Sequence, residues 1–237
     1  MTSLSVNINK IALIRNSRGA NYPNLLTIAA DCEAFGAQGI TVHPRPDQRH
    51  IRYDDLQPLK DLVTTEFNIE GYPSEEFLQI VTAIKPHQCT LVPDKPGALT
   101  SDAGWDTVTH HSFLKETVSR LHEAGIRVSL FIDPIENRIV HAETVGTDRI
   151  EFYTGPYAHD YTADRERAIA PFIIAANICD NLGLGINAGH DLNLKNLQYF
   201  KEHIPNLLEV SIGHAIVCDA LYYGLSNTIQ MYRSKLV

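Results

Sequence analysis

The sequence predicts an α/β fold, a (β/α)8 TIM barrel, on three observations. Eight short β-branched runs alternate with longer stretches of helical period. The chain has 237 residues, near the ~250 typical of such barrels. Each run also has one polar and one apolar face, as strands do when one side meets helices and the other a barrel interior.

In order, the predicted strands are Leu4 to Asn9, Gly39 to His43, Phe67 to Glu70, Gln88 to Pro93, Arg127 to Asp133, Arg149 to Thr154, Gly185 to Ala188 and Leu207 to Ile212. Helical stretches separate them: Asn24 to Phe35, Leu56 to Thr65, Ser74 to Ile84, Ser112 to Ala124, Ile135 to Val145, Ala163 to Asn181 and Asn193 to His203, with a last helix from about Ala215 to Arg233. Ser74 offers an N-cap before the acidic first turn Glu75-Glu76. Leu114, Val118 and Leu121 recur on one helical face, and Gly125 stands where a left-handed cap ends that helix. A doubly wound open sheet fits less well, because Gly-x-Gly-x-x-Gly is missing after the first strand. No linker, repeat or low-complexity tract divides the chain, so residues 1–237 are expected to form a single barrel domain.

Composition narrows the function. Hydrophobic residues at 44% and charged residues at 20% describe a globular chain. A net charge of -8 argues against a nucleic-acid partner and confines any phosphate site to a local pocket. Cys32, Cys89, Cys179 and Cys218 lie far apart with no C-x-x-C pair, and read as reduced, mostly buried thiols. Neither a signal peptide nor an apolar run of membrane-spanning length is present, so no membrane partner is expected and the cytoplasm is the expected location.

The inward faces carry Asn7 and Asn9, Thr41 and His43, Asn68 and Glu70, Ser129 and Asp133, Glu151 and Tyr153, and Glu209 and Ser211. Toward the C-terminal ends of five strands stand His43, Glu70, Glu151, His190 and His214, with Arg45, His50 and Arg18 in nearby loops. Any one of these histidines reads most simply as a satisfied structural residue. Five ionisable groups at one end of a barrel are harder to bury without compensation, which costs several kcal/mol each. A shared site at the face where barrels place their chemistry explains them better. At strand eight, Ser211-Ile-Gly-His-Ala leads into a helix N-terminus, where Gly213 permits close backbone approach and free N–H groups attract an anion. At strand seven, Asn187-Ala-Gly-His-Asp191 presents His190 on a turn.

NIN followed by IRNSRG, then GITVHPRPDQRHI, NIE, LVPDK, VSLFID, IEFYTG, INAGHDL and SIGHAI, in this order and spacing, resemble the pyridoxine 5'-phosphate synthase family of the deoxyxylulose-dependent vitamin B6 pathway. The resemblance runs from about Val6 to Gly224. It implies a (β/α)8 barrel with added helices, assembled as a homo-octamer built from dimers. It also implies a transferase-class condensation of 3-amino-2-oxopropyl phosphate with 1-deoxy-D-xylulose 5-phosphate, giving pyridoxine 5'-phosphate, phosphate and water with no metal or organic cofactor. Carried over by motif, His43 and Glu70 match proton acceptors, His190 a proton donor, and Glu151 a carboxylate that stabilises positive charge. Asn7, Arg18, Gly213, His214 and Asp191 match contacts to the amino ketone phosphate; Asn9, Lys10, Arg45, His50 and Thr100 match contacts to deoxyxylulose phosphate. The chain departs from the common pattern at Asn9-Lys10, where many members have Asp-His, and at Asp191, where many have Gly.

The residue types suit that chemistry, since ring closure from an amine and a ketone moves protons repeatedly and histidines and carboxylates can give and take them near pH 7. Two other readings use the same residues. One is a metal-dependent isomerase or phosphoesterase with the histidines and carboxylates as ligands. The other is a non-enzymatic barrel that binds phosphorylated metabolites.

Overall fold

A computed structural model describes residues 1–94 and 101–237. Eight parallel strands close into a barrel in sequence order: β1 (Ser3–Asn7), β2 (Gly39–Val42), β3 (Glu66–Gly71), β4 (Gln88–Leu91), β5 (Arg127–Ile132), β6 (Arg149–Tyr153), β7 (Gly185–Gly189) and β8 (Leu207–Ile212). Around them lie α1 (Asn9–Asn16), α2 (Leu25–Ala34), α3 (Tyr53–Leu62), α4 (Glu75–Ile84), α5 (His111–Glu123), α6 (Glu136–Val145), α7 (Gly155–Asp160), α8 (Arg165–Leu182), α9 (Leu197–His203), α10 (His214–Tyr223) and α11 (Leu225–Ser234). This is the (β/α)8 barrel that the alternation predicts, with the additional helices that the resemblance implies. Among the described residues no helix is long and apolar enough to cross a membrane.

Local chemistry sets the element ends. Ser74 caps α4 by accepting the Phe77 N–H at 3.2 Å, and Asn24 and Asp164 cap α2 and α8 in the same way. Two expectations need correction, and one further helix has no counterpart among the predicted ones. Strand one stops at Asn7, because the Asn7 side chain accepts the Asn9 N–H at 3.0 Å and turns the chain directly into α1. The predicted last helix is two, broken at Gly224, whose φ of 74° and ψ of 151° suit glycine alone. The short α7 begins at Gly155-Pro156, a pair that marks a turn in sequence but here places proline in the first helical turn.

Outward strand residues such as Ile40, Val42, Phe67, Ile69, Leu130, Ile150, Phe152 and Ile212 are buried beneath the helices. Each contributes about 1.5–3 kcal/mol by leaving water. Inward residues form polar layers. In the middle, Ser5 Oγ meets Thr41 Oγ1 at 2.7 Å, Asn68 Nδ2 donates to Thr41 Oγ1 at 3.4 Å, and Thr90 Oγ1 donates to Asn68 Oδ1 at 3.1 Å. At the N-terminal end, Arg127 pairs with Glu66 and donates to Gln88 Oε1 at 3.0 Å. There too, Arg149 donates to Asn187 Oδ1 at 3.2 Å, and Asn187 donates to Glu209 at 3.4 Å.

Candidate active site

Residues at the C-terminal mouth of the barrel are held by strand ends and by the turns that follow them. His43 follows β2 and is buried; its N–H donates to Asn9 Oδ1 at 2.9 Å, which ties the end of β2 to the start of α1. Its Nδ1 lies 3.8 Å from Glu70 Oε2, beyond hydrogen-bond range but within reach of tightening when a ligand arrives. Asn7 Nδ2 donates to the same carboxylate oxygen at 3.4 Å.

Burial and the surrounding charges shape the protonation here. Burial, reinforced by Arg45, His50 and Arg49, holds the His43 imidazole well below its ordinary value, so it is neutral with a free lone pair at pH 7. Burial and the nearby Asp94 carboxylate push Glu70 up to about 8, against Arg45 and Ser211, which pull it down. Glu151, mid-strand on β6 and deeper than its neighbours, is raised well above its ordinary value by burial and by the Glu70 and Glu209 carboxyls. Among the described residues its Oε2 has no hydrogen-bond partner, while Oε1 sits where a side chain on Gly189 would collide, 2.3 Å from an ideal Cβ. Gly189 is therefore what leaves room for this carboxyl.

The loop after β2 forms an electropositive wall. Arg45 Nη2 pairs with Asp94 Oδ2 at 2.6 Å, both side chains being buried. Ser101 Oγ donates to the same oxygen at 2.8 Å. His50 is buried, and its Nδ1 accepts the Ile51 N–H at 2.9 Å, so its neutral ring carries the proton on Nε2. Burial, with Arg45, Arg49 and Lys10 as neighbouring cations, brings it down to about 4. Lys10 is exposed on the first turn of α1.

On the opposite side, His190 and Asp191 both adopt positive φ, 86° and 61°, a strained turn. The Thr154 hydroxyl, which donates to Gly189 O at 2.7 Å, and Asn196 Nδ2, which donates to Asp191 O at 3.2 Å, hold it in place. His190 Nδ1 lies 2.8 Å from Asp191 Oδ2, and its ring meets Tyr153 edge-on at 5.1 Å. That contact with His190 keeps Asp191 below the usual carboxylate range. At Gly213 a Cβ would lie 2.8 Å from Asn7 O, so only glycine lets β8 close onto β1 before α10 starts. His214 opens α10, exposed, with Nε2 3.5 Å from Cys218 Sγ.

The fold thus brings Asn7, Asn9, His43, Arg45, His50, Glu70 and Glu151 together at one mouth, with His190, Asp191, Gly213 and His214 on the turns after β7 and β8. Arg18 lies exposed on the turn after α1, and Thr100 lies outside the described residues. Among the described residues no group of three or more His, Cys, Asp or Glu is arranged to hold a metal. Sequence reasoning passed over Asp94, although LVPDK places a carboxylate directly after β4 at the level of the other strand-end groups. It also passed over Arg15, Asn16 and Asp55, whose contacts join α1, the loop after β2 and α3.

A family model described as pyridoxal phosphate biosynthesis protein PdxJ matches residues 4–237. The chain is 61% identical over 236 residues to the pyridoxine 5'-phosphate synthase of Cytophaga hutchinsonii, covering 100% of this chain and 99% of that one. It is 58% identical to the protein of the same name from Parabacteroides distasonis, again over 100% and 99% of the two chains. Among solved structures it is similar to phosphoribosyl anthranilate isomerase from Thermotoga maritima, with a TM-score of 0.63, 12% identity and coverage of 100% and 98%. Thiamine phosphate pyrophosphorylase from Pyrococcus furiosus is similar at a TM-score of 0.64, with 12% identity and coverage of 99% and 95%. At such identities the likeness is one of fold alone.

Proposed function

Because the chain belongs to the PdxJ family of pyridoxine 5'-phosphate synthases, we propose that it condenses 3-amino-2-oxopropyl phosphate with 1-deoxy-D-xylulose 5-phosphate by acid/base catalysis. The products are pyridoxine 5'-phosphate, inorganic phosphate and water. The observation that carries the mechanism is the His43–Glu70 pair, an imidazole kept neutral 3.8 Å from a carboxyl kept mostly protonated near pH 7. His43 accepts a proton from substrate through its lone pair. Glu70 near pH 8 both gives and takes protons at little cost, as repeated proton transfers during ring closure demand. Glu151 is neutral in the empty site; a cationic imine beside it favours its ionised form, so it meets positive charge only when that charge develops. His190, on its strained turn, delivers a proton from the other side of the mouth.

Arg45 and His50 hold the phosphate of deoxyxylulose phosphate with Asn9, Lys10 and Thr100, the arginine by charge and the imidazole by its Nε2–H. Asn7, Arg18, Gly213, His214 and Asp191 hold the amino ketone phosphate, with the α10 N-terminus adding free N–H groups. The cytoplasm suits the unpaired thiols, three buried and one exposed. Octameric assembly, with Arg18 acting across a subunit boundary, suits the exposed Leu13 and Ile14 on α1 and Leu221 and Tyr222 on α10, against which α1 packs.

The deciding experiment incubates the purified protein with both phosphorylated substrates. The expected result is the pyridoxine phosphate chromophore with released phosphate, unaffected by chelation. Activity lost on chelation and restored by a divalent ion would favour the metal-dependent reading; binding of both compounds without product would favour the non-enzymatic one.

A further inference from the structure

The IRNSRG motif contributes more than Arg18. Arg15 is almost fully buried, and its guanidinium is shared among three partners. Nη1 and Nη2 donate to the two oxygens of Asp55 at 2.6 and 2.9 Å, Nη2 also donates to His50 O at 3.2 Å, and Nε donates to Asn16 Oδ1 at 3.1 Å. Asn16 in turn donates through Nδ2 to His50 O at 2.7 Å and to Arg49 O at 3.1 Å. Asp55 also accepts the Arg52 N–H at 2.8 Å, at the start of α3.

A buried Arg–Asp pair is a poor way to add stability, since apolar replacements of similar volume often do as well. Such a pair is better understood by what it fixes in space. Here that is one peptide unit: the carbonyl of His50 and the N–H of Ile51 belong to the same plane and point in opposite directions. Two donors from α1 grip the carbonyl end. The N–H end is thereby aimed at the ring of His50, donating to Nδ1 at 2.9 Å. A nitrogen that accepts this bond carries no proton, so the neutral ring is held as the Nε2–H tautomer.

We infer that Arg15 and Asn16, braced by Asp55, are positioning residues that set the tautomer of His50 by fixing the His50–Ile51 peptide plane, so that Nε2–H faces the phosphate pocket as a donor. A neutral histidine in the other tautomer presents a lone pair there and repels phosphate. The inference rests on the reading of His50 as a phosphate contact, and the experiment separates the two.

Asn16→Ala, at the half-buried end of α1, is the primary variant; Arg15→Lys keeps the charge and loses the fork, and serves if the first does not fold. In ¹⁵N-histidine-labelled protein, with the His50 resonances identified by their loss in His50→Gln, wild type shows a single Nε2–H tautomer. Asn16→Ala is expected to show both tautomers in exchange. Its KM for deoxyxylulose phosphate rises about tenfold, with kcat and the KM of the amino ketone phosphate within twofold of wild type. A single unchanged tautomer in both variants overturns the inference, whatever the kinetics. Mixed tautomers with all KM values unchanged uphold the tautomer control and overturn the phosphate role of His50 instead.

Discussion

The mouth and the floor of this barrel both bury carboxyl groups in the interior, and they resolve the resulting charge in different ways. At the floor, Glu66 pairs with Arg127, and Glu209 lies in the field of Arg149 and Arg127. Glu66 stays below its ordinary range despite partial burial, held there by its hydrogen bond to Arg127, while burial and Glu66 raise Glu209 well above its ordinary value, so one carboxyl of the two is ionised against arginine and the other is neutral. At the mouth, Arg45 is paired with Asp94, and the net effect on both Glu70 and Glu151 is upward. Charged groups inside a barrel therefore do not by themselves mark a site. What distinguishes the mouth is a pair of carboxyls held protonated beside a neutral imidazole, able to change charge when a ligand arrives.

The sharpest way to break this contrast is to neutralise one member of each set. His43→Ala and Glu70→Gln are expected to lower kcat by about 10²- to 10⁴-fold, with much smaller changes in KM, because each moves protons rather than holding phosphate. Neither is expected to lower the melting temperature, since both remove a group that is costly to bury. Steady-state kinetics with thermal melts of the same preparations checks both halves. Near-normal turnover in both variants would remove the pair from the mechanism.

The reciprocal change is Arg127→Met at the floor. Breaking a buried ion pair costs about 3–5 kcal/mol, reduced here to roughly 2–3 kcal/mol because Arg127 and Glu66 are partly exposed. Denaturant unfolding should show that loss, while kcat per folded molecule stays within a factor of about two. A large fall in kcat with unchanged stability would show that the floor takes part in catalysis.

Legibility in the sequence follows the same division. The eight strands and their inward faces were readable because alternation is a local, period-two signal, and the helices because apolar spacing and caps such as Ser74 are local too. Strand one was read as running to Asn9 because the turn made by the Asn7 side chain leaves no pattern beyond two asparagines. His43, Glu70, Glu151 and His190 could be singled out from their place near strand ends together with the resemblance. Compensation could not. That Arg45 is shared with Asp94, and that Arg127 meets Glu66, depends on pairs 49 and 61 residues apart in sequence. Arg15 and Asn16 stayed hidden for the same reason: Asp55 lies 40 residues from Arg15, and the carbonyls that both side chains bind are ones every residue carries.

A smaller effect separates the two regions by pH. The folded-state value of Glu70, about 8, lies above its ordinary 4.5. The protonated form thus favours the folded state; that contribution is complete below about pH 4.5 and is lost as pH rises through 8. Glu70→Gln removes this dependence, so its stability relative to wild type should grow between pH 5 and 8 by at most about 1.4 kcal/mol per unit, then level off. Urea unfolding at several pH values checks it, and a constant difference across that range would show that Glu70 titrates normally. Arg127→Met, which leaves Glu70 untouched, should retain the wild-type slope between pH 6 and 8.

The smallest expected effect lies at the rim, where Lys10 stands in place of the commoner histidine. Lys10 is exposed, yet close enough to His50 to contribute, with Arg45 and Arg49, to holding that imidazole down near 4. Exposed charge pairs contribute only about 0.2–1 kcal/mol, so Lys10→Ala should raise the KM for deoxyxylulose phosphate roughly two- to fivefold and leave that for the amino ketone phosphate unchanged. The same substitution removes one cation facing His50, so the His50 imidazole should titrate at higher pH in the variant, readable in its NMR shifts. Lys10→His makes the case stricter. A histidine there is charged below about pH 6 and neutral above about pH 8, whereas lysine stays charged up to about pH 10. Its KM for deoxyxylulose phosphate should match wild type at pH 6 and climb toward the Ala value by pH 8, while wild type stays flat apart from the titration of the phosphate itself. If all three proteins share one KM across that range, Lys10 points its charge at solvent, and the electropositive wall ends at Arg45 and His50.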